Sequence, residues 1–330
     1  MKGEMMKTGF ITGGTGFLGL NLIQQLKAEN WHITALHLPG ENTKFLDRFD
    51  VDKVEGDILD PASLKRAIPD QPDAIFHLAG DISMWKKNDE RQFNINVVGT
   101  TNMCREAINK KAVRFIHTSS SSAYGYHNHK LTEKTPSNAL GCGMSYNRTK
   151  YLAEQEVQKA VQEGLFAVIL NPCNIIGPYD PGNWSQLIKN VCSGKLPGYP
   201  PGVGTFSHAK DIARAHISAV ENGEKGENYL LGGARASFRD VISDILKVTG
   251  AGLPLKEISK TRLKLILYTS LAASFITRQE PLMTYPKYLR LVGHLTCDDT
   301  KARRALGFST TTILEMVTDC HLWLKQEKLI

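Results

Sequence analysis

The stretch Thr12-Gly13-Gly14-Thr15-Gly16-Phe17-Leu18-Gly19 separates a short apolar run from a segment with helical periodicity. The spacing of Gly13, Gly16 and Gly19 suits a turn that approaches a phosphate. The first glycine permits a tight turn, the second lets the backbone approach a pyrophosphate, and the third lets helix and strand pack closely. The N–H groups at the start of the helix would then face the phosphates. A glycine-rich turn without a ligand is the alternative, but the position between a first strand and a first helix favours a dinucleotide site.

Outward from this motif, strand-like and helical patterns alternate through the first half of the chain. Strands are predicted at Thr8–Thr12, His32–Leu36, Val51–Val54, Ala74–Ala79, Val113–Thr118 and Ala167–Leu170. Helices are predicted from Leu18 to Leu26 and over Asp60–Ala67, Asn94–Asn109 and Tyr146–Gln162. Such alternation implies a parallel sheet covered by helices on both faces, so the predicted class is α/β, a doubly wound Rossmann sheet.

After Pro172 this alternation ends, and proline and glycine cluster at 177–182 and 196–204. A helix is predicted over Asp211–Glu221 and a strand over Asn228–Leu231, and the chain is mainly helical from Phe238. The length of 330 residues suits two domains. We predict a dinucleotide-binding domain from residues 1–171 and about 204–232. A smaller, mixed, mainly helical C-terminal substrate-binding lobe would come from about 172–203 and 233–330.

The composition is that of an ordinary globular protein, with 42% apolar and 22% charged residues and a net charge of +7. Most of the positive excess lies in the last quarter of the chain, but no DNA-binding motif accompanies it, so we expect no nucleic-acid partner. A solvated helix face explains the charge, and transient contact with a membrane surface beside Leu265–Ile276 is the alternative. That apolar stretch is shorter than the roughly 18 residues that span a bilayer, so no stable membrane insertion is expected.

The cysteines and histidines do not form a metal-binding pattern. The six cysteines contain no C-x-x-C pair, and His127 and His129 have no third ligand in register, so no metal is predicted. Scattered cysteines in a chain of this size indicate reduced thiols, and the N-terminal residues lack the features of a signal peptide. The expected location is therefore cytoplasmic.

A serine run and a Tyr-x-x-x-Lys motif predict acid–base chemistry. Ser119 to Ser122 follow the fifth predicted strand, and Tyr146 and Lys150 begin a long helix, where residues four apart share a face. A nearby ammonium group favours the phenolate form and lowers a tyrosine pKa from its reference value near 10, so the tyrosine can exchange a proton near neutral pH. A helix-surface pair is the alternative. Tyr126 and Lys130 match the same spacing but lie in a loop pattern.

With these motifs in place, the chain resembles the extended short-chain dehydrogenase/reductase (NAD-dependent epimerase/dehydratase) family. The resemblance rests on TGGTGFLG at 12–19, GD at 56–57, HLAG at 77–80, NVVGT at 96–100, YNRTK at 146–150, NPCNIIGP at 171–178 and DDTKARRALGF at 298–308. It implies Ser120, Tyr146 and Lys150 as the catalytic residues, with Ser119 and Ser121 as alternatives to Ser120. It implies cofactor contacts at Gly13, Thr15, Gly16, Phe17, Leu18, Asp57, Ile58, Leu78, Ala79, Gly80, Asn96, Tyr146, Lys150, Pro172 and Ile175. The glycine turn itself adds Gly19, and a possible 2′-phosphate adds His37.

Several of these positions also have a purely structural interpretation. Asp57 could cap the next turn and Asn96 a helix. We interpret His77 as a hydrogen-bonded interior residue. Met84 and Trp85 follow the fourth strand, where relatives line the substrate pocket, so we predict a pocket containing Met84, Trp85, Ser120 and Tyr146, with simple packing as the alternative for the first two.

The cofactor preference is open from sequence alone. An NAD site usually carries an acidic residue at the end of the second strand, which binds the ribose 2′-hydroxyl. Here the first acidic residue is Glu41, while His37 and Lys44 could meet a 2′-phosphate. We therefore favour NADP(H) slightly, with NAD(H) as the alternative.

The resemblance implies an oxidoreductase that interconverts a ketone or aldehyde and an alcohol. Gly204 stands where nucleotide-sugar relatives often carry an arginine, and the apolar Leu263–Ile276 would suit an apolar or aromatic substrate. Residues 229–233 look like those of dihydroflavonol-reductase-like and 3β-hydroxysteroid-dehydrogenase-like members. The alternatives are a nucleoside-diphosphate-sugar epimerase or dehydratase and, from another class, a non-catalytic dinucleotide-binding sensor. The family also implies a homodimer formed through the helices at Asn94–Asn109 and Tyr146–Gln162.

Overall fold

The computed structural model describes residues 6–252, 254 and 256–330. The strands are β1 (Thr8–Thr12), β2 (His32–His37), β3 (Asp52–Glu55), β4 (Ala74–His77), β5 (Phe115–Thr118), β6 (Ala167–Pro172), β7 (Asn174–Ile176), β8 (Val203–His208), β9 (Asn228–Leu231), β10 (Ala234–Ser237) and β11 (His294–Leu295). The helices are α1 (Phe17–Ala28), α2 (Pro61–Ala67), α3 (Asp89–Phe93), α4 (Gly99–Asn109), α5 (Ser145–Gln162), α6 (Trp184–Cys192), α7 (Ala209–Asn222), α8 (Phe238–Thr249), α9 (Lys260–Thr277), α10 (Tyr285–Val292), α11 (Thr300–Leu306) and α12 (Ile313–Gln326). A π-helical turn, Asn94–Val98, joins α3 to α4.

Seven strands form the main sheet in the order β3-β2-β1-β4-β5-β6-β9. Every neighbouring pair in this sheet is parallel. The strand order reverses between β1 and β4, which is where doubly wound sheets bind their ligands, beyond the carboxyl ends of the strands. The predicted Rossmann class is confirmed, with strand ends shifted by one or two residues.

The core of this sheet lies on both of its faces because successive strand side chains point to opposite sides. In β1, Phe10 packs with residues of α2, α4 and α5, while Ile11 packs with residues of α1, α7 and α11. Both side chains are fully buried. Strands that are buried on both faces must be apolar at nearly every position. The strands in the first half of the chain could therefore be predicted from the sequence pattern.

A second, smaller sheet lies in the C-terminal half of the chain. Its path is β10-β8-β11, with β10 antiparallel to β8, and β7 pairs with β8 in parallel. A separate apolar cluster packs residues of β7, β8 and β10 with α6, α8 and α12. Of the two elements between 204 and 232 that were predicted from pattern, α7 packs on the main sheet and β9 joins it. The strand β8 lies in the smaller sheet. The exact division of the chain into two domains stays a prediction.

Helix α9 differs from its predicted role as an apolar wall of the substrate site. Only Leu263 and Leu267 are buried along it, while Phe275 is 89% and Ile276 81% exposed. Its apolar residues are spread around the helix instead of forming one buried stripe, so most of them face solvent. Among the residues described, no helix combines the length and the apolar character that crossing a bilayer would require.

Candidate active site

The glycine turn lies between β1 and α1 and packs closely on the end of β4. Gly13 has φ of +72°, and a Cβ there would lie 2.7 Å from the Ala79 nitrogen. A Cβ at Gly19 would lie 2.1 Å from the Gly13 carbonyl oxygen, so only glycine fits without a shift of the backbone. The first turn of α1 carries no acidic residue, and Gly16 at its N-cap supplies no side-chain acceptor. The N–H groups of this turn are therefore available to a phosphate.

The other predicted cofactor residues lie around this turn at the carboxyl ends of the strands. Leu78, Ala79 and Gly80 follow β4, and a Cβ on Gly80 would meet the Asn96 amide oxygen at 3.2 Å and Lys150 Nζ at 3.4 Å. Asn96 accepts from the Asp81 backbone N–H at 2.7 Å and donates to Thr149 at 3.1 Å, so it fastens this loop to α5. The close approach of these backbones leaves a cradle at the switch point of the sheet.

The remaining predicted contacts have partners within the protein. Asp57 follows β3 and accepts from the Leu59 N–H at 2.9 Å, as its capping interpretation predicted, while Ile58 is buried against Gly99. Pro172 ends β6 and Ile175 lies in β7. Their assignment as cofactor contacts stays a prediction.

An acidic side chain lies where the adenine ribose of a dinucleotide is expected. Glu41 accepts from the Thr15 hydroxyl at 2.6 Å and from the Leu38 N–H at 2.9 Å, which places its carboxylate beside the glycine turn. The two basic residues of the NADP argument are engaged elsewhere. His37 Nδ1 lies 3.0 Å from the Leu38 carbonyl oxygen, and Lys44 lies over the Phe45 ring.

The structure brings Ser120, Tyr146 and Lys150 together. Ser120 follows β5 and caps a short 3₁₀ turn, in which its hydroxyl accepts from the Ser122 N–H at 3.1 Å. Tyr146 and Lys150 extend from the first turns of α5, and Lys150 Nζ donates to the Thr118 carbonyl at 2.9 Å. Ser119, the alternative serine, instead donates to the buried Glu154 carboxylate. Ser120 is thus the serine of the run that meets Tyr146.

Burial and neighbouring charges set the proton affinities of this group. Burial raises the pKa of Tyr146, and the Ser120 hydroxyl and the Arg290 guanidinium act in the opposite direction. Burial lowers the pKa of Lys150 to about 8, while the nearby Glu154 carboxylate acts to raise it. Lys150 can therefore change protonation state close to neutral pH, whereas burial keeps Tyr146 protonated, and Lys150 is not among the groups that lower the pKa of Tyr146, contrary to the expectation from the sequence.

Glu154 forms a buried polar network beneath these residues. It accepts hydrogen bonds from Ser119, Asn171 and Asn228, and the Asn171 amide also donates to the Ser120 carbonyl at 3.1 Å. Burial raises the pKa of Glu154, and these hydrogen bonds and the charge of Lys150 oppose the rise. The network ties α5 to β6, to the Ser119 hydroxyl and to the backbone of Ser120 beneath the site.

An open pocket lies next to Ser120. Its lining is mostly apolar or uncharged, and comprises Met84, Ser120, Ser121, Ser122, Gly125, Tyr126, Leu131, Met144, Asn147, Cys173, Asn174, Pro286, Leu289, Arg290, Leu295 and Cys297. Of the four residues predicted to line it, Met84 and Ser120 do so. Trp85 lies under Lys87, and Tyr146 reaches the site through its hydrogen bond to Ser120. The apolar wall comes from α10, not from the predicted stretch in α9, because α9 packs through only two of its side chains.

His77 has the interior role predicted for it. It is fully buried, and its ring nitrogens lie 2.8 Å from the Thr12 hydroxyl and 3.0 Å from the Thr100 hydroxyl. Burial, assisted by Lys150, lowers the pKa of His77 to about 3, so the ring is neutral at physiological pH. It links β4 to β1 and α4 below the site instead of taking part in it.

The parallel sheet, the glycine turn at its switch point and the Tyr/Lys pair together define a dinucleotide-dependent enzyme of the α/β class. The chain belongs to the NAD dependent epimerase/dehydratase family, whose family model matches residues 10–232. The resemblance inferred from the motifs is confirmed by this match, and NAD is the dinucleotide of the family.

Individual relatives match over nearly the whole chain. One is sterol demethylase protein B of Methylococcus capsulatus, 27% identical over 98% of this chain and 100% of that protein. Another is a putative dihydroflavonol 4-reductase of Synechocystis, 26% identical over 96% of this chain and 94% of that protein. Among solved structures, that of gox2253 has a TM-score of 0.85 at 27% identity and covers 97% of this chain and 98% of the other.

Sequence reasoning did not single out three charged residues of the site. Glu154 follows Lys150 by one helical turn, and that spacing could have indicated it. Glu41 was noted as the first acidic residue after β2, but its hydrogen bond to Thr15 depends on the course of the loop. Arg290 is far from Tyr146 in sequence, and no local pattern places it in the pocket.

Proposed function

We propose that this protein is an NAD(H)-dependent oxidoreductase that interconverts a ketone or aldehyde and an alcohol on an apolar small molecule. The observation that carries the proposal is the meeting of Ser120, Tyr146 and Lys150, of which Ser120 lines a pocket with an apolar wall of Met84, Leu289 and Leu295. The proposed apolar substrate is also consistent with the names of the relatives, a sterol demethylase protein and a dihydroflavonol reductase.

The protein residues divide the work in the direction of carbonyl reduction. When bound, the nicotinamide supplies or accepts a hydride. Ser120 holds the carbonyl oxygen by a hydrogen bond, and Tyr146 donates the proton that this oxygen takes up. Lys150 has a pKa of about 8 and is therefore charged at lower pH. Its charge favours the phenolate that Tyr146 becomes after donating its proton, and its ammonium group would bind the nicotinamide ribose. In the oxidation direction Tyr146 takes the proton back.

The preference for NAD(H) over NADP(H) rests on Glu41. Its carboxylate would accept from a ribose 2′-hydroxyl and would repel a 2′-phosphate. This proposal reverses the slight preference for NADP(H) that the sequence suggested. The reason is that the loop after β2 brings Glu41 back to Thr15.

Substitution of Tyr146 by phenylalanine tests the mechanism. Removal of the proton donor should lower kcat by about 100-fold or more in assays of a panel of apolar ketones and aldehydes, with NADH oxidation as the readout. NADH binding, measured by fluorescence, should persist. Tyr151→Phe, on the same helix and outside the pocket lining, is the matched control and should retain wild-type turnover. Near-wild-type turnover of Tyr146→Phe would refute the mechanism. If NADH bound while no carbonyl accelerated its oxidation, the sensor alternative would replace it.

We also propose a cytoplasmic homodimer. The scattered cysteines suit a reducing compartment. Phe93 and Val98, on the helical segment from α3 to α4, expose 36% and 39% of their surfaces and would be covered by a second copy. Light scattering should give twice the mass of 36.6 kDa, and a monomer at micromolar concentration would refute the dimer.

A further inference from the structure

Arg290 is the only charged residue among those that line the pocket beside Ser120. It belongs to α10, and the chain that follows is fixed to the smaller sheet: the Gly202 N–H donates to the Leu291 carbonyl at 2.9 Å, and the Val203 N–H donates to the Gly293 carbonyl at the same distance. These bonds hold the end of α10 against the start of β8. The guanidinium is therefore carried by a well-anchored segment.

Within the part of the chain that the structure describes, no carboxylate pairs with Arg290. Burial lowers the pKa of Arg290, and the neighbouring Tyr146 acts in the opposite direction. Other arginines behave differently: Arg48 pairs with Glu327 at 2.6 Å and Arg91 with Asp81 at 2.8 Å. A partly desolvated guanidinium without a counter-ion is costly, so such a side chain points to an anion that arrives from outside.

We propose that Arg290 binds a carboxylate of the substrate, held close to the carbonyl or alcohol carbon that reacts. This inference rests on the proposed function, because it places the anion relative to the Tyr146 hydroxyl. Arg290 and Ser120 both line the pocket, and Ser120 hydrogen-bonds to Tyr146, so the guanidinium and the Tyr146 hydroxyl lie on the same side of the site. A planar guanidinium suits a carboxylate because it can donate two parallel hydrogen bonds to its oxygens.

The pocket favours a single carboxylate over a diphosphate. A diphosphate carries at least two charges and several acceptor oxygens, and one guanidinium balances only one charge. The remaining wall includes Met84, Leu289 and Leu295, which favour an apolar body behind the anionic end. The substrate class is thus an apolar hydroxy or oxo acid, and a nucleotide sugar is the less suitable occupant.

Binding measurements can test this inference without turnover. The probes are adamantane-1-carboxylate and its neutral carboxamide, titrated into the NADH-loaded protein by calorimetry. The carboxylate should bind about ten-fold or more tightly than the amide, as a charge-assisted pair requires. Arg290→Met should abolish this preference, and Arg290→Lys should restore part of it. Arg304→Met, an exposed residue with the same change in charge, should keep the wild-type preference.

Three results would overturn the inference: equal binding of acid and amide, an unchanged preference in Arg290→Met, or no binding of the carboxylate at millimolar concentration. A purely electronic effect of Arg290 on Tyr146 would instead shift the pH profile of turnover and leave the acid and amide equal. Failure of the proposed function is separate from these outcomes. In that case the carboxylate would still bind through Arg290, while wild-type and Tyr146→Phe proteins would be equally inactive toward carbonyls.

Discussion

Glu154→Gln should make Lys150 lose its proton at lower pH. The substitution keeps the size of the side chain and one acceptor oxygen, replaces the other acceptor with an amide donor, and removes the charge that raises the pKa of Lys150. Residues four apart on a helix have Cβ atoms about 6 Å apart. At an effective dielectric constant of about 20, unit charges at that distance interact by about 3 kcal/mol, or about two pKa units as an upper limit. Because the full Coulomb interaction is an upper limit, we expect a shift of about one unit.

The sign follows from the role of Lys150. Carbonyl reduction needs Lys150 charged and Tyr146 protonated, so activity falls as pH rises through the Lys150 pKa of about 8. A shift of about one unit would reduce the charged fraction at pH 8 from about a half to about a tenth, a loss of about five-fold in kcat/KM. At pH 6 the loss should nearly disappear.

The assay is kcat/KM for carbonyl reduction between pH 5.5 and 9.5. Glu156→Gln is the matched control, since Glu156 lies on the same helix and pairs with the exposed Lys159. An alkaline limb at the same pH in wild-type and Glu154→Gln proteins would refute the electrostatic coupling. A loss of activity that is uniform across pH would indicate that Glu154 acts only by holding Asn171 and Ser119 in place.

Three further predictions concern the cofactor site and the core. Gly19→Ala would place a new Cβ 2.1 Å from the Gly13 carbonyl oxygen, so it should weaken NADH binding at least ten-fold in a fluorescence titration. Gly182→Ala, which has open space around its Cβ, is the control and should bind NADH as the wild type does. Equal binding by the two variants would contradict the predicted packing. Glu41→Gln should raise the ratio of kcat/KM for NADPH to that for NADH, because the carboxylate that repels a 2′-phosphate is gone, and an unchanged ratio would separate Glu41 from cofactor choice. Burial lowers the pKa of His216 to about 4, so the unfolded state takes up a proton that the native state excludes as pH falls below about 6.5. The free energy of unfolding in urea should therefore fall as the pH decreases toward 4.5. The slope of this fall should be smaller in His216→Gln, by up to about 1.4 kcal/mol per pH unit, and equal slopes would show that His216 is protonated in the native state.

The parts of the fold that were predicted from sequence are those fixed by local constraints. The strands around Phe10, Ile75 and Ile116 read clearly because they are buried on both faces and carry unbroken apolar runs. The turn at Gly13 also read clearly, since a positive φ and a close backbone approach leave few residue types. In these segments the requirement and the residues that meet it lie within a few positions of each other.

The substrate side could not be predicted in the same way. Leu263–Ile276 reads as an apolar wall, but apolar residues around a whole helix do not say which side faces the pocket, and α9 turns most of them to solvent. Arg290 reads as part of a basic surface segment, since only the folding of α10 onto β8 brings it to Ser120. Both errors arise from contacts between residues that are distant in sequence.

The buried charged groups of the site differ in whether the protein itself supplies their partners. Glu154 and Lys150 carry opposite charges one helical turn apart. Both also have hydrogen-bond partners within the protein: Ser119, Asn171 and Asn228 donate to Glu154, and Lys150 donates to the Thr118 carbonyl. Arg290 has no such partner among the described residues, although partial burial makes a partner valuable. A folded protein tolerates such an imbalance where a ligand corrects it, because binding restores the missing interaction only when substrate is present. The imbalance at Arg290 therefore identifies the end of the pocket where selectivity for the substrate arises, while the balanced Lys150–Glu154 pair can be kept in every state of the enzyme.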